Sequence, residues 1–139
     1  MRSIHCTTLI MLVTLGTSAA AGEKTLYAAM GGEPVLRTAM DHFTDIVEAD
    51  NRINFTFADT DIKKFKELLF EQLCQISGGP CHYSGRDMRT AHAKLNITTA
   101  EFNALAEDLY LALGQAGVSY RQQNKLMTLL APMQRQIVK

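Results

Sequence analysis

Apolar residues recur at helical spacing along most of the chain after residue 30, and strict apolar-polar alternation of the kind a half-buried strand shows is nearly absent. From Gly31-Gly32, Glu33-Pro34 opens a segment with proline in a first turn, where its missing N–H costs nothing. Val35, Leu36, Met40, Phe43, Ile46 and Val47 follow at 3.6-residue spacing. This pattern predicts an amphipathic helix ending near Asn51. Asn54 to Thr60 reads as a polar-aromatic connection carrying Phe55 and Phe57. Asp61 then caps a run with Ile62, Phe65, Leu68, Leu69, Leu73 and Ile76 on one broad face, which Gly78-Gly79-Pro80 stops. A short helix is expected over Arg86 to Leu95. Thr98 to Glu101 has the form of a capping box and starts a helix bearing Phe102, Leu105, Leu109 and Leu113, closed by Gly114 and Gly117. Ser119 to Gln122 is a second box, opening a last helix with Leu126, Leu129, Leu130 and Met133 in phase. With no internal repeat, the expectation is one all-α domain of four main helices, a bundle or a globin.

The first 21 residues follow a different rule. Arg2 supplies a positive start, Cys6 to Leu15 a ten-residue apolar run, and Ala19 and Ala21 a small-residue cleavage site, the pattern of a secretory signal peptide. As a helix that run would rise only about 15 Å, half of a bilayer core, so it is too short to span. The expected division is therefore a leader over 1–21 and a folded domain over 22–139, exported to a periplasm or secreted, with no membrane span in the mature chain.

Composition narrows the function. The 139 residues carry 14 Lys+Arg against 14 Asp+Glu, and loss of Arg2 with the leader leaves a net charge of −1. A phosphate-tracking protein needs an excess of cations to release counterions, so nucleic acid is not an expected partner. Cys74 and Cys81 remain after cleavage, and in an oxidising compartment they can pair across the Gly78-Gly79-Pro80 turn or stay as free thiols.

No phosphate loop, nucleophile elbow or H-E-x-x-H is present, and no catalytic residue is assigned. Covalent c-type haem attachment needs C-x-x-C-H. Cys81-His82 supplies its end, but Gly78 stands where the first Cys belongs. His42 and His82 read as surface or boundary residues. His92 differs, because Met88 and Leu95 flank it at spacings of four and three with no carboxylate at either. Its pattern leaves two readings open: a core histidine, or a neutral imidazole ligating haem iron, for which one histidine suffices.

The ordered motifs resemble the group 1 truncated haemoglobins, short globins with a two-over-two helical sandwich, over about residues 26–136. The resemblance rests on Leu26-Tyr27 with Gly31-Gly32, on Phe43 and the Phe55 to Asp59 corner, and on Gly78-Gly79-Pro80 with Tyr83-Ser84-Gly85. Above all it rests on Gly85 to His92 followed by Leu95 to Thr98 and Phe102. It implies that His92 is the proximal iron ligand of a non-covalent haem b, its other ring nitrogen donating to a backbone carbonyl or a hydroxyl. It implies that Phe57 stacks on the haem, that Met88, Leu95, Ile97 and Phe102 line the proximal side, and that Lys64 and Tyr83 serve the propionates. Phe43, Phe65, Leu69 and Leu73 complete the implied pocket. On the distal side this sequence departs from the family: Thr44 stands where most members carry Tyr, Phe65 and Leu69 occupy the two polar-capable positions, and Leu68 replaces the second histidine of some members.

The expected function is reversible binding of diatomic gas, oxygen or nitric oxide, at a His-ligated iron under an apolar distal pocket, with oxygen transport as one use. The alternatives are a haem enzyme, a nitric oxide dioxygenase or peroxidase-like activity, and a haem-free helical interaction module. A monomer with an unidentified reductase or electron donor is expected.

Overall fold

The computed structural model describes residues 22–139, and the expected leader, with Cys6, lies outside the described residues. Among the described residues all regular structure is helical. The elements are α1 (Leu26–Met30), α2 (Gly32–Ala49), a 3₁₀ turn at Asn54–Phe57, α3 (Ile62–Ile76), α4 (Met88–His92), α5 (Thr99–Gln115) and α6 (Tyr120–Leu130). A second 3₁₀ turn (Ala131–Met133) then leads into α7 (Gln134–Ile137).

Side-chain caps decide where several of these helices start. Asp61, Asp87 and Thr98 each accept a hydrogen bond from the N–H three residues on, which satisfies a donor the helix itself leaves unpaired. The box at Thr98 is complete, with Glu101 Oε2 accepting from Thr98 N at 2.8 Å. The one at Ser119 is half made: Ser119 Oγ accepts from Gln122 N at 3.5 Å with no return bond. Three boundaries differ from the pattern reading. α1 is a separate five-residue helix, too short for periodicity to reveal, and Gly31 at φ 108° turns the chain from it into α2. α4 is shorter than Arg86 to Leu95, because Asp87 caps it late and Asn96, at φ 49°, turns the chain beyond its end. The last helix breaks at Pro132, which has no N–H to continue it.

α2 packs on α3 along one side and on α5 along the other, α6 lies against α5, and α1 bridges α2 to α6. Leu36, Met40, Phe43, Val47, Ile53, Leu73, Leu113 and Leu126 are all but inaccessible and form the centre of the core. α3 leans chiefly on α2, and α4 packs on α7, so these two helices do not spend their apolar surface on each other.

Cys74 and Cys81 are joined in a disulfide with Cα atoms 5.7 Å apart. Closing so short a loop removes chain entropy worth about 2 to 3 kcal/mol from the unfolded state. The cross-link fastens the end of α3 to the segment leading into α4. Gly79 is needed there because a Cβ would stand 2.6 Å from Cys74 Sγ and 2.8 Å from the Tyr27 ring.

At the crossing of α2 and α5, Asp108 is only 5% exposed and its Oδ2 has no hydrogen-bond partner. Burial, reinforced by the nearby Asp50 charge and only partly offset by Arg52, pushes its carboxyl up to about 6. The native state thus holds this proton more tightly than the unfolded chain. The stability it confers is complete below about pH 4, the unfolded value, and is lost as pH rises through about 6. Above that, ionised Asp108 costs about 3 kcal/mol. Asp108→Asn should therefore raise Tm by about 10 °C at pH 8 and leave it unchanged at pH 4, measured by circular dichroism melts. An equal shift at both pH values would assign the effect to packing instead.

Candidate functional site

α3 carries two apolar rows. Phe70, Leu73 and Cys74 are buried on the α2 side, whereas Phe65, Leu68 and Leu69 remain half-buried although fully apolar. Gln72 continues this row and touches α4, its Nε2 lying 3.4 Å from Met88 Sδ. At its N-terminal end three rings meet: Phe57 stands edge-on to Phe65 with centroids 5.1 Å apart, and Phe43 approaches Phe65 at 6.2 Å. On and after α4, Met88 and His92 are both half-buried, Leu95 is 49% exposed, and Ile97 and Phe102 follow toward and into α5.

His92 is set by its own helix. Its Nδ1 lies 2.8 Å from the Met88 carbonyl oxygen. A carbonyl can only accept, so Nδ1 donates, which in the neutral tautomer puts the lone pair on Nε2. Nε2 has no hydrogen-bond partner among the described residues. A half-buried imidazole, oriented by one nitrogen and unspent at the other, is the donor that a metal centre requires.

α4 is held in register by a latch on the back of α3. Gln75 Oε1 accepts from Tyr83 N at 2.5 Å, and Glu71 Oε2 accepts from Ser84 N at 2.9 Å and from Ser84 Oγ at 2.7 Å. With Cys74 these residues form one row, a turn apart, that grips residues 81–84. The Ser84 hydroxyl and N–H hold the Glu71 carboxyl below its ordinary range. Thr90, likewise, through its side chain and then its N–H, lowers that of Asp87, the α4 cap. Beyond α4, Lys139 donates from Nζ to the Ala93 carbonyl at 2.8 Å and from its backbone N–H to that of Ile97 at 3.0 Å.

The structure leaves Phe57, Phe65, Leu69, Met88, His92 and Phe102 half-buried and Leu95 exposed. It places Phe43, at 1% exposure, and Leu73, at 0%, in the core beneath the α3 row, where they support the wall without surfacing on it. Ile97 is nearly buried. Tyr83 donates its hydroxyl proton to the Arg86 carbonyl at 2.8 Å, which ties the loop to itself and leaves that proton committed. Burial raises the pKa of this phenol. Lys64 is exposed at the start of α3 and makes no ion pair among the described residues. Thr44 is buried, and its hydroxyl donates into its own helix, 3.2 Å from the Met40 carbonyl and 3.0 Å from that of Asp41.

Pattern reading missed Glu71, Gln72, Gln75 and Lys139. The signal available for Gln72 was a lone amide in an apolar row, three residues after Leu69 and seven after Phe65. The others carry none, because their partners lie in loops without periodicity.

The residues present suit a flat apolar cofactor held by one axial nitrogen: a single free imidazole nitrogen, aromatic rings at one end and apolar walls on both sides. Among the described residues no group of three or more His, Cys, Asp or Glu could hold a bare metal ion.

Comparison with known proteins gives a consistent set of similarities. Residues 25–139 match the family model of the bacterial-like globins. The chain is 33% identical over 96 residues to a group 1 truncated hemoglobin of Tetrahymena pyriformis, covering 69% of this chain and 79% of that one. It is 37% identical over 95 residues to the group 1 truncated hemoglobin GlbN of Nostoc sp., covering 68% and 80%. Among solved structures, the Fe(III) form of the Tetrahymena pyriformis protein superposes with a TM-score of 0.80 at 29% identity, over 83% of this chain and 98% of that one. The 2/2 hemoglobin of Synechococcus sp., described as cyanomet with covalently attached heme, superposes with a TM-score of 0.78 at 30% identity over the same shares.

Proposed function

This chain belongs to the bacterial-like globin family, among the group 1 truncated haemoglobins, and is a haem-based gas-binding protein; from that premise we propose that His92 Nε2 holds the iron while Phe65 and Leu69 enclose a diatomic gas on the opposite side. Haem supplies an iron with one coordination position open to the gas. The observation that carries the assignment of His92 is its Nδ1 bond to the Met88 carbonyl, which fixes the tautomer and turns Nε2 outward as a lone pair. Phe57, Met88, Leu95 and Phe102 supply apolar contact to the porphyrin. Lys64 is the cation available to a propionate, while Tyr83 serves one only if its bond to Arg86 is given up.

Attachment is read as non-covalent, of the b type. Both cysteines of the described residues are consumed by their own disulfide, and Gly78 breaks the c-type motif. The same disulfide supports export by the 1–21 leader, since such bonds persist in oxidising compartments. The mature chain is proposed to act outside the cytoplasm as a monomer, with an unidentified donor keeping the iron reduced.

The test is the visible spectrum of the mature chain reconstituted with haem, in ferric, dithionite-reduced and CO-bound forms. A five-coordinate ferrous spectrum that shifts on CO addition, at one haem per chain, is expected. Failure to bind haem stoichiometrically would overturn the reading and leave the half-buried α3 row as an ordinary helix face.

A further inference from the structure

Met88, Met127 and Met133 are half-buried, whereas Met30 and Met40 lie in the core at 5% and 1% exposure. Two of the half-buried sulfurs meet at one side chain, Gln72 on α3, whose Nε2 lies 3.4 Å from Met88 Sδ and 3.9 Å from Met133 Sδ. Gln72 is itself half-buried, and among the described residues its amide donates to no oxygen or nitrogen. Thioether sulfur is a weak acceptor, so an amide with two N–H groups and only sulfur to receive them is poorly satisfied.

The spacing to Met133 suits a stronger acceptor carried on that sulfur. A hydrogen bond from amide nitrogen to oxygen runs about 2.9 Å, and a sulfur–oxygen bond is about half as long; joined at the bent angle that such an oxygen favours, they span about 3.9 Å from nitrogen to sulfur. That is the separation of Gln72 Nε2 and Met133 Sδ, whereas Met88 Sδ, at 3.4 Å, stands too close to admit the same oxygen without moving. Met133 also ends the 3₁₀ turn from which α7 starts, and α7 packs on α4.

We propose that Met133 is a modification site, oxidised by peroxide to the sulfoxide, whose oxygen accepts a proton from the Gln72 amide. The sulfur lone pair attacks one peroxide oxygen, and the S–O bond forms as the O–O bond breaks. Sulfur is oxidised and peroxide reduced; the departing hydroxide takes the proton of the transferred oxygen and leaves as water. A sulfoxide elsewhere turns an apolar side chain polar and loosens its packing, and enzymes of the methionine sulfoxide reductase class reverse it. Here the new oxygen meets a donor that lacks a proper acceptor, so the modification ties α7 to α3. The inference stands apart from the haem reading.

The experiment treats the mature chain with limiting hydrogen peroxide at pH 8, under CO so that any bound iron takes no part, and locates the added oxygen by peptide mass spectrometry. Met133 should be oxidised first, about threefold or more ahead of Met127 and Met88, the amide favouring the oxygen as it transfers. The oxidised wild-type chain should keep its Tm within about 1 °C in circular dichroism melts, whereas oxidised Gln72→Leu should melt about 4 °C below its unoxidised form, for want of that hydrogen bond. Gln72→Glu, whose carboxylate only accepts at this pH, should lose as much and serves if the leucine variant does not fold. Oxidation of Met127 or Met88 ahead of Met133 overturns the proposal. So does a loss of Tm on oxidation that is the same in the wild type as in whichever variant folds, since the sulfoxide then gains nothing from Gln72.

Discussion

His92→Ala should fold, with an unchanged far-ultraviolet circular dichroism spectrum, and should fail to hold haem. The side chain is half-buried at the end of a five-residue helix, and its removal deletes one intrahelical bond to Met88 without opening a cavity in the core. Its effect on helix content is therefore small. Its effect on the cofactor is large, because among the described residues no other histidine stands on α4: His82 lies in the loop outside it, and His42 sits on α2. Loss of even an outer-shell partner of a metal ligand typically costs about 10- to 100-fold in affinity, so loss of the ligand should cost more than about a hundredfold. Haem titration followed at the Soret band gives the affinity. Added imidazole, filling the vacated place, should restore a ligated spectrum to the variant. Stoichiometric haem with a wild-type ferrous spectrum in His92→Ala would show that another residue is the ligand.

Thr44→Tyr should slow oxygen release by about tenfold. The resemblance sets position 44 beside the gas, and the present hydroxyl cannot serve it, being directed at the Met40 and Asp41 carbonyls of its own helix. A tyrosine carries its hydroxyl several bond lengths beyond the backbone, out of reach of those carbonyls. A new donor to a charged acceptor contributes about 1.5 to 3 kcal/mol, and each 1.4 kcal/mol is a factor of ten in rate. Overpacking offsets part of this gain, because Thr44 is buried and a ring there displaces neighbours at a typical cost of about 1 to 3 kcal/mol in stability. Stopped-flow oxygen release, with the CO spectrum as a check that the site is intact, decides it. An unchanged rate in a variant that binds CO normally would mean that position 44 does not face the gas.

These expectations were legible in the sequence to different depths. Helix starts were, because Asp61 and Thr98 announce themselves as caps ahead of apolar runs, and capping is a local interaction that sequence spacing alone specifies. His92 stood out by its apolar neighbours, and its anticipated backbone partner is the carbonyl of Met88, four residues earlier. The broad face of α3 was harder to divide. At 100° per residue, Leu69 and Leu73 look like one stripe, yet the first belongs to the open wall and the second to the packing on α2, a distinction made only by where neighbouring helices lie. The latch was not legible, because Glu71 and Gln75 read as ordinary polar residues of an exposed face, and Tyr83 and Ser84 meet them through a loop that obeys no period. Gln72 fell between the two cases: its place in the apolar row was visible, but its lack of a proper acceptor required coordinates.

The latch also governs how the molecule can deform. Because residues 81–84 are bolted to Glu71, Cys74 and Gln75, the support of α4 hangs from the same rod that forms the opposite wall. The two sides of the crevice are like the valves of a shell joined at that end, and they cannot part there without breaking a covalent bond.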